Sequence, residues 1–143
     1  MPNLDQRRKL IDALERAAQP LQNTADDYRA MTNAAKSKKY VLLGEATHGT
    51  ADFYRIRADI TRHLIVEEGF DAVAVEADWP DAYRVNRYVC GSSDDTEADE
   101  ALSNFERFPV WMWRNTEVLA FVNWLRSYNH NTNKSADQMK PSG

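Results

Sequence analysis

Between Tyr40 and Glu76 the hydrophobic pattern of the chain changes period twice, and that change constrains the fold more than any other feature. From Tyr40 to Leu43 the residues are continuously apolar over a short run, as in a strand covered on both faces, and Gly44 closes it. Phe53, Ile56, Ile60 and Leu64 then fall on one helical stripe, with Thr50 as N-cap and Gly69 of "EEGF" where a helix C-terminus favours glycine. The segment "AVAVEA", beginning at Ala72, is a second short apolar run. Strand, helix and strand of these lengths describe a βαβ unit with a right-handed crossover. The expected class is therefore α/β, with parallel strands Tyr40–Gly44 and Ala72–Glu76 flanked by helices.

Helices are expected on both sides of this unit. Leu4, Leu10, Ile11, Leu14 and Ala18 share a helical face, and Asn3 and Gln6 are spaced as a capping pair. A second helix runs from Thr24, its N-cap, through Tyr28, Met31 and Ala35. "DWPDAYRVNRYV" carries Pro80 early and Ala82, Val85 and Val89 at helical spacing. "GSSDDTEADEA" is polar and acidic and reads as a surface loop with little to bury. By contrast, Trp111, Trp113, Val118, Leu119, Phe121, Val122, Trp124 and Leu125 surround a helix almost completely, so that helix expects cover on most sides. The tail after Tyr128 has little to pack and reads as disordered.

With 143 residues the chain has the length of one ordinary domain. A net charge of -4 with scattered basic residues points away from nucleic acid, and the "KSKK" run at Lys36–Lys39 reads as a solvated helix end. The lone Cys90 allows no internal disulfide and fits a reducing, cytoplasmic compartment. No apolar run approaches the roughly 20 residues of a membrane span, and no targeting signal is read.

Chemistry concentrates in "GEATHGT". Strands of a parallel sheet deliver their carboxyl ends to one edge, outside which ligands bind. Glu45 ends the first expected strand and Glu76 the second, while His48 follows in the turn. Two carboxylates and an imidazole are thus expected to converge, with His48 a general base for water. The plainer alternative has Glu45 capping the following helix and His48 bonding within the turn. Arg55 and Arg57 stand on that helix, where either can neutralise the carboxylates or lie solvated on the helix face. Glu45, His48 and Glu76 also offer three metal ligands, although E-x-x-H in a loop is a weak metal signature. No G-x-S-x-G elbow, P-loop or G-x-G-x-x-G is present, so the expected chemistry uses water and no cofactor.

From Tyr28 to Tyr128, the combination of "GEATHGT", "VEADWP" and "FPVWMWRN" resembles the N-terminal part of the erythromycin esterase family. The resemblance implies hydrolysis of a macrolide lactone or related ester by activated water, without a covalent acyl-enzyme, and hence a place in the response to antibiotics. Carried onto matching positions, it makes His48 the general base, Glu45 its acid neighbour, Glu76 an orienting acid and Arg57 the active-site arginine. Family members are longer and draw a second histidine and much of the cleft from later sequence. Residues 1–128 are accordingly expected to be the N-terminal part of such a domain and 129–143 a polar tail, with weak or no activity. The expected partner is a small ester or lactone, without nucleic acid or membrane, together with self-association through the apolar C-terminal helix. Two rivals stand beside this: a non-catalytic or binding remnant of the fold, and a metal- or haem-binding relative.

Overall fold

In the computed structural model, residues 3–18, 20, 22 and 24–138 are described, and they form two units, residues 1–36 and 37–143. Among the described residues every regular element is helical, and no helix is long and apolar enough to cross a membrane.

The first unit contains α1 (Leu4–Ala17), a 3-10 turn at Ala25–Tyr28 and α2 (Arg29–Ala35). The start of α1 follows from its sequence. Asn3 Oδ1 accepts from the Gln6 N–H at 2.9 Å, and Gln6 Oε1 accepts from the Asn3 N–H at 3.0 Å. The apolar stripe of α1 is exposed along its length. At the second start the Thr24 N–H donates to Asp27 Oδ2 at 2.8 Å. Tyr28, Thr32 and Ala35 are buried, and the Thr32 hydroxyl donates back to the Tyr28 carbonyl at 3.1 Å.

The second unit contains α3 (Ala51–Val66), α4 (Trp79–Val89), α5 (Ala98–Leu102), a 3-10 turn at Val110–Met112 and α6 (Thr116–Gln138). Its core joins Tyr88 and Val89 of α4, Ala98, Ala101 and Leu102 of α5, Phe105, and Val122 of α6. Val118, Leu119 and Leu125 of α6 pack against this cluster, so the helix that expected cover receives it from α4 and α5 on one side and α3 on another. On the α3 side the Arg62 guanidinium lies 5.4 Å from the Trp124 ring centre.

The end of α4 shows how a helix terminus is satisfied in three dimensions. Gly91 takes φ 75°, its N–H donates to the Tyr88 carbonyl at 3.0 Å, and the Ser92 N–H reaches the Arg87 carbonyl at 2.9 Å. From α6, Arg126 donates to the Tyr88 carbonyl and Asn129 Nδ2 to the Val89 carbonyl at 3.0 Å. These bonds fasten α4 to α6.

Three sequence expectations meet a different structure. The α/β architecture with parallel β-strands is not formed: no strand or ladder exists among the described residues, and residues 40–45 and 71–75 belong to no regular element. The physical reason is lack of cover. A parallel strand is stable when both neighbours and both faces are supplied, whereas Leu42 is 91% and Val75 49% exposed. The acidic segment read as a surface loop instead contributes α5, whose Ala98, Ala101 and Leu102 are among the most buried residues described. Its acidic residues cap the helix: Glu100 accepts from the Thr96 N–H at 2.8 Å and the Glu97 N–H at 3.3 Å. Finally, α6 continues past Tyr128, so the backbone is helical to Gln138, and residues 139–143 lie outside the described residues.

Candidate functional site

The turn between Gly44 and α3 assembles around one carboxylate. Glu45 has only 7% of its side chain exposed, and it is gripped from two directions. His48 Nδ1 stands 2.6 Å from Glu45 Oε1, and Arg57 Nη1 stands 2.7 Å from Oε2. The Arg57 contact is an ion pair whose angle falls short of a hydrogen bond. A carboxylate can only accept, so Nδ1 must carry the proton of the His48–Glu45 bond. In the neutral imidazole the other ring nitrogen, Nε2, then keeps its lone pair. The imidazole is 55% exposed, which leaves that nitrogen open to water.

The helix start explains why Arg57, rather than Arg55, reaches the turn. Thr50 is extended at the N-cap without a side-chain cap, and α3 begins at Ala51. Tyr54 and Arg57, three residues apart, rise on the side that faces the turn. Arg55 points elsewhere, pairing along the helix with Asp52 at 3.1 Å and Asp59 at 3.8 Å. The ambiguity between the two arginines is resolved by their contacts.

Tyr54 was not legible as a site residue in the sequence. It is buried, its hydroxyl donates to the His48 carbonyl at 2.5 Å, and the Arg57 guanidinium lies 5.1 Å from its ring centre. Burial pushes its hydroxyl pKa up, the Glu45 carboxylate adds to the rise, and Arg57 opposes it. The one sequence signal for it is the three-residue aromatic–arginine spacing of Tyr54 and Arg57 on one helix face, beside the apolar stripe through Phe53 and Ile56.

Glu76 behaves differently. It occupies an exposed bend before α4, and among the described residues no hydrogen bond or ion pair joins it to Glu45, His48 or Arg57. Convergence of the two carboxylates relied on the parallel strand pair, and that pair is not formed among the described residues. Glu45, His48 and Glu76 are likewise not gathered as metal ligands, and the described residues contain no group of three or more His, Cys, Asp or Glu able to hold a metal ion.

The sequence model of the family described as "Erythromycin esterase" matches residues 65–138, more than half of the chain. The chain belongs to the erythromycin esterase family. The matched residues of this family member run from the end of α3 through α6 and include Glu76, while the Glu45–His48–Arg57 turn precedes them. Among curated proteins it is similar to "Erythromycin esterase type II" of Escherichia coli, 27% identical over 104 residues, covering 73% of this chain and 23% of that protein. It is also similar to "Putative hydrolase YbfO" of Bacillus subtilis (strain 168), 37% identical over 71 residues, covering 48% of this chain and 16% of that protein. The chain thus spans less than a quarter of the length of these relatives. No solved structure matches it significantly.

Proposed function

We propose that the Glu45–His48–Arg57 turn activates water for the hydrolysis of a carboxylic ester, in the first place a macrolide lactone. The observation that carries this reading is the 2.6 Å contact between Glu45 Oε1 and His48 Nδ1 beneath a largely exposed imidazole. Through Nε2, His48 takes a proton from water as the oxygen attacks the ester carbonyl. The imidazolium that forms is held by the Glu45 carboxylate, in the manner of carboxylate–histidine pairs in hydrolases. Collapse of the tetrahedral intermediate breaks the bond to the alkoxide, which recovers the proton from Nε2, so water and ester become acid and alcohol. Arg57 balances the Glu45 charge and has further N–H groups for a developing oxyanion. Glu76 enters this scheme by resemblance alone, as an acid that orients the water.

Supporting this reading are the family membership and the name of the Escherichia coli relative. The experiment is hydrolysis of erythromycin and of simple lactones by this chain and its His48→Ala variant. Loss of about 100-fold or more in kcat is the expected outcome for a removed general base. Equal, measurable rates in the two proteins would refute the mechanism.

That no hydrogen bond or ion pair joins Glu76 to the turn, among the described residues, favours a second reading, in which this chain binds the ester without turning it over. Retention of ligand by the parent protein with no hydrolysis would select it. Two further proposals concern setting. Cys90 is a free, exposed thiol, as suits a reducing cytoplasm. Self-association is proposed through exposed aromatic residues such as Phe108 and Trp79, since the apolar faces of α6 are partly covered.

A further inference from the structure

We infer that Tyr54 is the positioning residue of this site, the one side chain that sets His48 and Arg57 on Glu45 together; the inference rests on the reading of His48 as the base. Glu45 is gripped by His48 on one oxygen and Arg57 on the other, and Tyr54 touches both gripping residues. Its hydroxyl donates to the main-chain carbonyl of His48, six residues earlier, and its ring lies under the Arg57 guanidinium.

The turn needs such a tie. Among the described residues, 44–50 form no ladder, and within the turn the Gly49 N–H donates to Thr47 Oγ1 at 3.3 Å. That bond lies wholly inside the turn and cannot fix it to α3. The Tyr54 hydroxyl can, because Tyr54 is buried on the first turns of a helix that packs against α6. Holding the His48 carbonyl limits rotation of the His48 backbone, and so limits where the imidazole can point. The ring does the same for Arg57 from the other side by a cation–π contact. The donor is also durable. Burial and the neighbouring Glu45 carboxylate keep the hydroxyl protonated beyond the ordinary tyrosine range.

A core-filling tyrosine would have none of these consequences for His48, and that difference makes the test. Tyr54→Phe preserves the ring and removes the hydroxyl. The chain has three histidines, so the imidazole nitrogen-15 signals of His48 are assigned by their loss in His48→Gln. In the parent, His48 is expected to hold the Nδ1–H tautomer dictated by Glu45; in Tyr54→Phe it should relax toward the Nε2–H form that free histidine prefers, with His63 and His130 unchanged. Turnover should fall about tenfold in kcat with little change in KM, because the loss is one of orientation. An unchanged His48 tautomer in Tyr54→Phe overturns the proposal, whatever the rate. The tautomer readout needs no turnover. A tautomer shift in a protein that hydrolyses nothing supports the positioning role and refutes the esterase reading; an unchanged tautomer alongside a slow His48→Ala enzyme does the reverse.

Discussion

Arg84 and Asp95 meet in a forked pair, Nε to Oδ2 at 3.0 Å and Nη2 to Oδ1 at 2.5 Å. The same guanidinium donates to Ser103 Oγ at 3.1 Å and Asn104 Oδ1 at 2.6 Å. One arginine on α4 therefore fastens the segments before and after α5. This explains how an acidic stretch can fold onto an apolar core: its charge is turned outward and tied down while its alanines and leucine turn inward.

Acid should loosen this arrangement. The Arg84 hydrogen bonds, then the Ser93 hydroxyl, hold the Asp95 carboxyl down to about 2. Glu100 is also lowered, chiefly by the Thr96 N–H and then by that of Glu97. A carboxyl depressed in the folded state adds stability that is fully present above its unfolded pKa, about 4, and is lost as pH falls toward the folded value. The thermal midpoint should therefore drop between about pH 4 and pH 2. Asp95→Asn should flatten that decline, and melting curves on both proteins across this range provide the check.

The core claim for α5 has a direct test. Leu102 is 2% exposed and packs with Tyr88, Val89 and Val122. Leu102→Ala should cost about 3 kcal/mol, the middle of the range for a buried leucine. A urea denaturation showing a change below about 0.5 kcal/mol, the range of ordinary surface substitutions, would return this segment to a surface loop.

At the site, Glu45→Gln keeps the shape and removes the charge that Arg57 and His48 share. The expected loss of stability is about 2 kcal/mol, as for hydrogen bonds to charged groups. Asp52→Asn is the matched control, because the Asp52–Arg55 pair lies on the exposed helix surface and should count for less than about 0.5 kcal/mol. Denaturant midpoints of the two variants should differ accordingly, and equal midpoints would mean that Glu45 is no more tightly held than a surface carboxylate.

The two glycines at opposite ends of these elements should respond unequally to alanine. Gly91 has φ 75° at the end of α4, where a Cβ is strained, and Gly91→Ala should cost about 1 kcal/mol. Gly44, beside Glu45, has no such angle and nothing within 4 Å of an added Cβ. Gly44→Ala should leave the thermal midpoint near that of the parent, and a loss matching that of Gly91→Ala would contradict the conformation of the turn.

Local order was legible in the sequence and distant order was not. Asn3 with Gln6 marked the start of α1 correctly, because that cap is decided within about three residues of chain, and Thr24, Thr50 and Pro80 also stand at helix starts. The pairing of Glu45 with His48 was legible for the same reason: the spacing of E-x-x-H lets the two side chains meet within one turn. The strands were not, since an extended apolar run becomes a strand only when partners cover it, and here residues 40–45 and 71–75 have none among the described residues. The expected meeting of Glu76 and Glu45 had rested on that pairing, across 31 positions of sequence. Spacing left Arg55 and Arg57 open where the family resemblance named Arg57; tertiary structure alone buried the alanines of an acidic segment and brought the Tyr54 hydroxyl to the His48 carbonyl. Each of those outcomes is set by which face of a helix finds cover, and the covering residues lie far along the chain.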